Sequence, residues 1–164
     1  SELKKIFVPS LPLSSSMQEM RVIIDRNVSI GVHVRRGDYV HDRTINAFHG
    51  VCDISYYRAA VREVERRVPG SSWYVFTDDP EWVSSDLDLG VPYELLSGRG
   101  EMSTAQEWWL MSRCKHHIIA NSSFSWWAAW LGDPAGKVVV APQRWFADDS
   151  MKTDDLIPQE WLRL

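Results

Sequence analysis

Two arginines, an aspartate, a histidine and a tyrosine fall together in His33-Val34-Arg35-Arg36-Gly37-Asp38-Tyr39. Guanidinium groups make forked, charge-assisted hydrogen bonds to phosphate oxygens, so an arginine pair at a strand end suits a diphosphate. Asp38 is placed to orient one arginine. The same residues also read as a structural Arg–Asp ion pair, and Arg36-Gly37-Asp38 spells an integrin-type adhesion tripeptide. A second cluster, Asn121-Ser122-Ser123, stands between an apolar run and an aromatic one. At a helix start, backbone N–H groups and serine hydroxyls make a phosphate site. Plain capping by Ser122 or Ser123 uses the same hydroxyls. The Glu107 carboxylate can accept two hydrogen bonds from the N1–H and N2–H edge of guanine. Thr104-Ala105-Gln106-Glu107 is also a capping-box pattern, and the pattern alone favours the cap. Asp78-Asp79 offers a carboxylate pair for magnesium or a ribose. Asp79 ahead of Pro80 is equally explained by helix capping. The histidines at 33, 41, 49, 116 and 117 show no metal-ligand spacing. There is no G-x-G-x-x-G and no Walker lysine motif.

These groups need elements to position them. Ser16-Met17-Gln18-Glu19 reads as a capping box opening a helix through Ile24. Asn27 to Val34 is β-branched and apolar and predicts a buried strand. A long polar loop is expected from Arg35 to Cys52. Asp53 caps a helix whose apolar positions recur at helical spacing up to Val68. Further strands are predicted at 73–77, 93–96, 117–120 and 137–141, with helices from Asp79, from Ser103 or Thr104, and from Ser123 to Leu131. The tail after Pro142 reads as loop. Strands alternating with helices predict a parallel sheet in an α/β layer fold. Arg35 to Asp38, Thr77 to Asp79, Ser97 to Gly100, Asn121 to Ser123 and Gln143-Arg144 all follow strand C-termini. Ligands of open α/β sheets bind at that edge.

Composition narrows the class. The chain has 164 residues, 45% hydrophobic and 24% charged, which is globular and fits one domain, or a domain plus a short arm. A net charge of −4 speaks against a nucleic-acid binder. No apolar run reaches the ~18 residues of a membrane span. Ser1 to Ser10 lacks the apolar core of a signal peptide. Two cysteines do not make a disulfide framework and fit a reducing compartment. The nine tryptophans suit sugar stacking, although tryptophan also fills cores.

The blocks GVHVRRGDYV, FHGVCDISYYRAA, WYVFTDDPEWV, LMSRCKHHIIANSSFSWWAAWLG, APQRWF and IPQEWLRL, in this order, resemble bacterial α-1,2-fucosyltransferases of glycosyltransferase family 11. The resemblance runs from about Asn27 to Leu164. It implies a Rossmann-like parallel sheet flanked by helices, the C-terminal nucleotide-sugar-binding half of a GT-B-type enzyme. Residues 1–26 would be an N-terminal remnant or linker with a short helix, and 27–164 the GDP-fucose-binding domain. The implied activity is inverting transfer of L-fucose from GDP-β-L-fucose to the 2-hydroxyl of a terminal galactose on a glycan. No metal and no other cofactor is expected. By the same resemblance Arg35 holds the β-phosphate, His33 contacts guanine or ribose, and Ser122 and Ser123 meet the diphosphate, beside Asn121. Glu107 stands where many relatives carry Asp and reads the guanine edge, a double role with capping. Arg36 and Asp38 shape the site, and Asp78 or Asp79 the nucleoside pocket. The general base is unassigned among Asp38, Asp42 and His49, or lies on a missing N-terminal acceptor domain. The family's bacterial members suggest the cytoplasm, with peripheral association at the inner face of the membrane. The alternative function is a non-catalytic GDP-sugar or glycan-binding module.

Overall fold

The β-branched run after Asn27 forms β1 (Ser29–Val34), and all six of its residues are buried. Burial on both faces explains why the run is continuously apolar rather than alternating. The computed structural model describes residues 13–98, 102–132, 135–148 and 150–164. Most of the expected N-terminal remnant (1–12) and the end of the Ser97 to Gly100 loop lie outside the described residues.

Around β1 the chain adds α1 (Ser15–Arg26), α2 (Gly37–His41), α3 (Arg43–His49), α4 (Ile54–Arg67), β2 (Ser72–Thr77) and α5 (Pro80–Asp86). It continues with β3 (Glu94–Leu95), α6 (Thr104–Ser112), β4 (His116–Ile118), α7 (Ser123–Leu131), β5 (Val139–Ala141) and β6 (Leu162–Arg163). The strands form one sheet in the order β3-β2-β1-β4-β5-β6, and every pairing is parallel. Chain direction across the sheet therefore reverses between β1 and β4, the switch point where ligands of such folds bind. The fold is a Rossmann-like α/β sheet.

Strand alternation assigns the two layers. Ile30, Val32 and Val34 pack with Trp73 and Val75 against α4 and α5, through Tyr57, Val61, Val64 and Val83. The opposite face carries Tyr74 and Phe76 against α1, α6 and α7, through Ile24, Leu110, Met111 and Ala128. A third cluster joins α7 and β5 to the tail through Ala129, Trp145, Ile157 and Trp161. No helix among the described residues is long and apolar enough to cross a membrane.

Three local expectations change. The cap of α1 is Ser14, whose hydroxyl accepts from the Met17 N–H at 3.3 Å, rather than Ser16. The expected loop from Arg35 to Cys52 holds two short helices, α2 and α3. No residue of α3 is buried, so it carries no apolar stripe to read. The tail contributes β6, a two-residue edge strand paired with β5 and too short to show a period.

Two histidines are enclosed in this scaffold. His33 (β1) and His117 (β4) are both buried, and desolvation holds each down to about 3 from 6.5. Between those values the unfolded chain binds more protons than the folded one, so stability is retained above the unfolded pKa and lost as pH falls below it. Each histidine contributes a slope of up to ~1.4 kcal/mol per pH unit in that window. The melting temperature is expected to fall from pH 7 to pH 5, less steeply in His117→Gln. An identical slope in that variant would refute the assignment.

Candidate functional site

The residues after β1 and after β4 flank the switch point. Aspartate carboxylates hold the first group. Arg35 gives Nη2 to Asp38 Oδ1 at 2.6 Å and Nη1 to Asp78 Oδ2 at 2.8 Å. The Arg36 N–H donates to Asp78 Oδ1 at 2.8 Å, so one carboxylate ties the Arg35 side chain to the Arg36 backbone. Arg36 turns towards α5: its Nε lies 3.4 Å from Asp79 Oδ2, and its guanidinium stands 3.8 Å over the Trp82 ring. Gly37 permits this arrangement, because a Cβ there would come within 2.5 Å of Asp78 Oδ2. Asp79 also caps α5 through the Trp82 N–H. Both members of the Asp78-Asp79 pair are thus engaged by arginine. Among the described residues no group of three or more His, Cys, Asp or Glu is arranged to hold a metal ion. The Arg35 guanidinium carries five donors and remains partly exposed, so it can meet a further anion at the sheet edge.

Across the switch point, Ser122 is the N-cap of α7 but makes no side-chain capping bond. Its hydroxyl is therefore not used as a cap, and Ser123 is exposed at the first turn. The N-terminus of α7 presents the positive end of the helix to the same edge as Arg35. Asn121 is a brace. Its amide donates to the carbonyls of His49 (2.8 Å), Gly50 (3.3 Å) and Trp145 (3.1 Å), and its Oδ1 accepts from the Cys52 thiol. It holds the end of α3 and the segment after β5 to the end of β4. His33 points under α7: Nδ1 lies 3.0 Å from Ser125 Oγ, and the ring stacks on Phe124 at 4.8 Å. Ser125 and Phe124 belong to no chemistry-bearing motif in the sequence. The Ser-Phe-Ser spacing after Ser122 gives them no signal beyond their place in the first helical turn.

Glu107 corrects the capping assignment. The box of α6 is Ser103 with Gln106, each bonding the other's backbone N–H, so Thr104 and Glu107 take no part. The register was ambiguous because Ser103 and Thr104 both precede a residue able to close the box. Glu107 is released to face the ends of β2 and β3. Its Oε2 accepts from the Ser97 hydroxyl at 2.8 Å, and Ser97 Oγ accepts from the Thr77 N–H at 2.9 Å. Burial raises the Glu107 carboxyl above its ordinary pKa, opposed by hydrogen bonds from Ser97 and the Gly98 N–H. A half-buried carboxylate set on two strand ends can accept paired N–H donors of a planar base.

The three candidate bases differ in their ties. Asp38 is paired with Arg35. Asp42 caps α3 by accepting from the Thr44 and Ile45 N–H groups. His49 is stacked on Tyr39 at 4.7 Å, and its Nδ1 is buried without a hydrogen-bond partner among the described residues.

Comparison with known proteins bears on this arrangement. The family model described as glycosyl transferase family 11 matches residues 13–164. An alpha-1,2-colitosyltransferase of Escherichia coli is 34% identical over 169 residues, covering 99% of this chain and 56% of that protein. The O-antigen biosynthesis glycosyltransferase WbnK of Escherichia coli is 35% identical, covering 88% of this chain and 47% of its own length. A galactoside alpha-(1,2)-fucosyltransferase 2 of Mus musculus is 31% identical over 62% of the chain and 30% of its own length. The chain spans about half the length of its bacterial relatives.

Proposed function

The chain belongs to glycosyl transferase family 11, and we propose that it is the donor-binding part of an inverting α-1,2-fucosyltransferase. The donor is GDP-β-L-fucose and the acceptor the 2-hydroxyl of a terminal galactose on a glycan. The observation that carries this reading is the convergence of Arg35 and the α7 N-terminus on the β1/β4 switch point. In the transfer, acceptor O2 attacks the anomeric carbon from the face opposite the phosphate. The C1–O bond breaks with its electron pair leaving on the β-phosphate, and a base takes the hydroxyl proton. The growing charge on the diphosphate is the main electrostatic task. Arg35, Ser122 and Ser123 answer it without a metal, and Asp78 and Asp38 hold the guanidinium in place. Glu107 reads guanine and the buried His33 braces the floor of the nucleoside site under α7. Asn121 supports the phosphate turn through backbone carbonyls. We assign the base to His49, because Asp38 and Asp42 are otherwise engaged. The acceptor side is completed by a domain beyond this chain, with the reaction on the cytoplasmic face of the bacterial inner membrane.

Titration of the chain with GDP and ADP in EDTA tests the reading. Binding of GDP in EDTA, at least ~10-fold tighter than ADP, is expected. Failure of GDP to bind would overturn the donor site. Because a relative is named for colitosyl transfer, the nucleotide donors of fucose and colitose are to be compared in the transfer assay. GDP binding without transfer to any galactoside by the full-length protein would favour a non-catalytic module.

A further inference from the structure

Tyr39 ends the cluster that begins at His33 and has no task in the donor-site reading, yet its side chain is buried. Its ring carries the Arg35 guanidinium at 5.1 Å. The same ring stacks on His49, with centroids 4.7 Å apart and planes 13° from parallel. Its hydroxyl donates to the Asn121 carbonyl at 3.3 Å, beside the phosphate turn. Burial raises the pKa of that hydroxyl, so it stays a donor. Its main-chain carbonyl accepts from the Asn46 amide of α3 at 2.5 Å, one residue short of a helical turn before His49. One side chain thus touches the cation for the leaving group, the residue that opens the phosphate turn and the group assigned as base.

The two groups on the ring depend on it unequally. Arg35 is already held by Asp38 at 2.6 Å and Asp78 at 2.8 Å. A ring under a partly exposed cation adds only ~3-fold to such a hold. His49 has no comparable clamp. Its Nδ1 is buried without a hydrogen-bond partner among the described residues, whereas a working imidazole is ordinarily oriented through its second nitrogen. Its ring is set by aromatic neighbours instead. Tyr39 lies face-on, Phe48 edge-on at 4.9 Å, and Phe146 tilted by 39° at 5.7 Å. Of these three, Tyr39 is the nearest and the one close to parallel. Tyr39, His49 and Phe146 also line a cavity of about 350 Å³, so a tilt of the imidazole towards that space meets little packed matter.

We propose that Tyr39 is a positioning residue whose ring, anchored on the Asn121 carbonyl, sets the orientation of the His49 imidazole in register with Arg35. The assignment rests on the donor-site reading above and on His49 as the base. Tyr39 takes no proton and touches no substrate. It acts on the chemical step, because a base displaced by ~1 Å can cost ~100-fold in rate. It acts little on donor binding, because Arg35 keeps both of its carboxylate partners without it.

The test measures transfer by the full-length protein, with GDP-L-fucose and lactose as a galactose-terminated probe. Calorimetry of the chain with GDP in EDTA and a thermal melt run beside it. Tyr39→Leu is expected to lower kcat about 100-fold and to weaken GDP binding only about 3-fold. Tyr39→Phe keeps the ring and loses only the hydroxyl, and should restore kcat to within about 5-fold of the unsubstituted protein. Tyr39→Met, flexible and of similar reach, is the second non-aromatic variant if the leucine chain does not fold. With isotope-labelled histidine, the His49 ring C–H signals should move in Tyr39→Leu and hold in Tyr39→Phe, since only the first removes the ring current of the stack. A folded non-aromatic variant with kcat within about 3-fold of the unsubstituted protein would overturn the inference and leave the donor site standing. So would parallel losses of kcat and GDP affinity, or a Tyr39→Phe protein as slow as Tyr39→Leu. Absence of transfer by the unsubstituted full-length protein would overturn this inference alone. Absence of GDP binding would overturn the donor-site reading and this inference with it.

Discussion

Arg35→Ala is expected to weaken GDP binding about 100-fold while leaving the melting temperature nearly unchanged. Two charge-assisted hydrogen bonds to phosphate, at ~1.5 kcal/mol each, account for that loss. The stability effect is small because the pairs Arg35 makes are partly exposed, with side chains of Arg35 and Asp38 at 31% and 44%. Such pairs contribute ~0–1 kcal/mol. Asp78 is not left alone in the variant, since it still accepts from the Arg36 N–H. Arg35→Lys keeps the charge but loses the fork, and should lie in between, about 10-fold weaker than wild type. Calorimetry in EDTA beside a thermal melt separates the two roles. A large drop in melting temperature with unchanged affinity would make Arg35 a structural clamp and move the phosphate elsewhere.

Glu107→Gln is expected to cost GDP about 100-fold in affinity and ADP almost nothing, which collapses the preference for guanine. The carboxylate can accept both N–H groups of the guanine edge, whereas a glutamine turned to the same edge presents one acceptor and one opposing NH₂. Leaving a buried donor unmatched costs ~1–3 kcal/mol. The same residue sets a pH dependence. Burial raises the Glu107 pKa, so acidification neutralises it sooner than an exposed glutamate. Only the ionised form accepts from both N–H groups. GDP affinity in the wild type should therefore fall as pH drops through that raised value. ADP affinity, and GDP affinity in Glu107→Gln, should lack that component. A wild-type GDP profile parallel to that of ADP would remove Glu107 from the base site.

Much of this was legible in the residues alone. The β-branched run into His33 and Arg35, the Asp79-Pro80 start of α5 and the Asp53 cap of α4 are local signals, and local signals survive folding. Alternating strands and helices were enough to put Arg35, Asp78 and Ser122 at one sheet edge, because a parallel sheet brings all its strand ends to the same side. The family resemblance added roles that chemistry alone left open between ion pair, cap and phosphate ligand. Other features depend on distances that sequence does not encode. Whether Ser103 or Thr104 opens the α6 box decides whether Glu107 is spent as a cap or left facing the strand ends. There it meets Ser97, ten residues earlier, reaching across from the end of β3. The bracing of Asn121 requires carbonyls 72, 71 and 24 residues away. The aromatic stack around His49 is assembled from α2, α3 and the segment after β5, none of which signals it alone. Short-range periodicity specifies which residues face a layer, and packing of those layers alone decides which polar and aromatic side chains from distant segments meet.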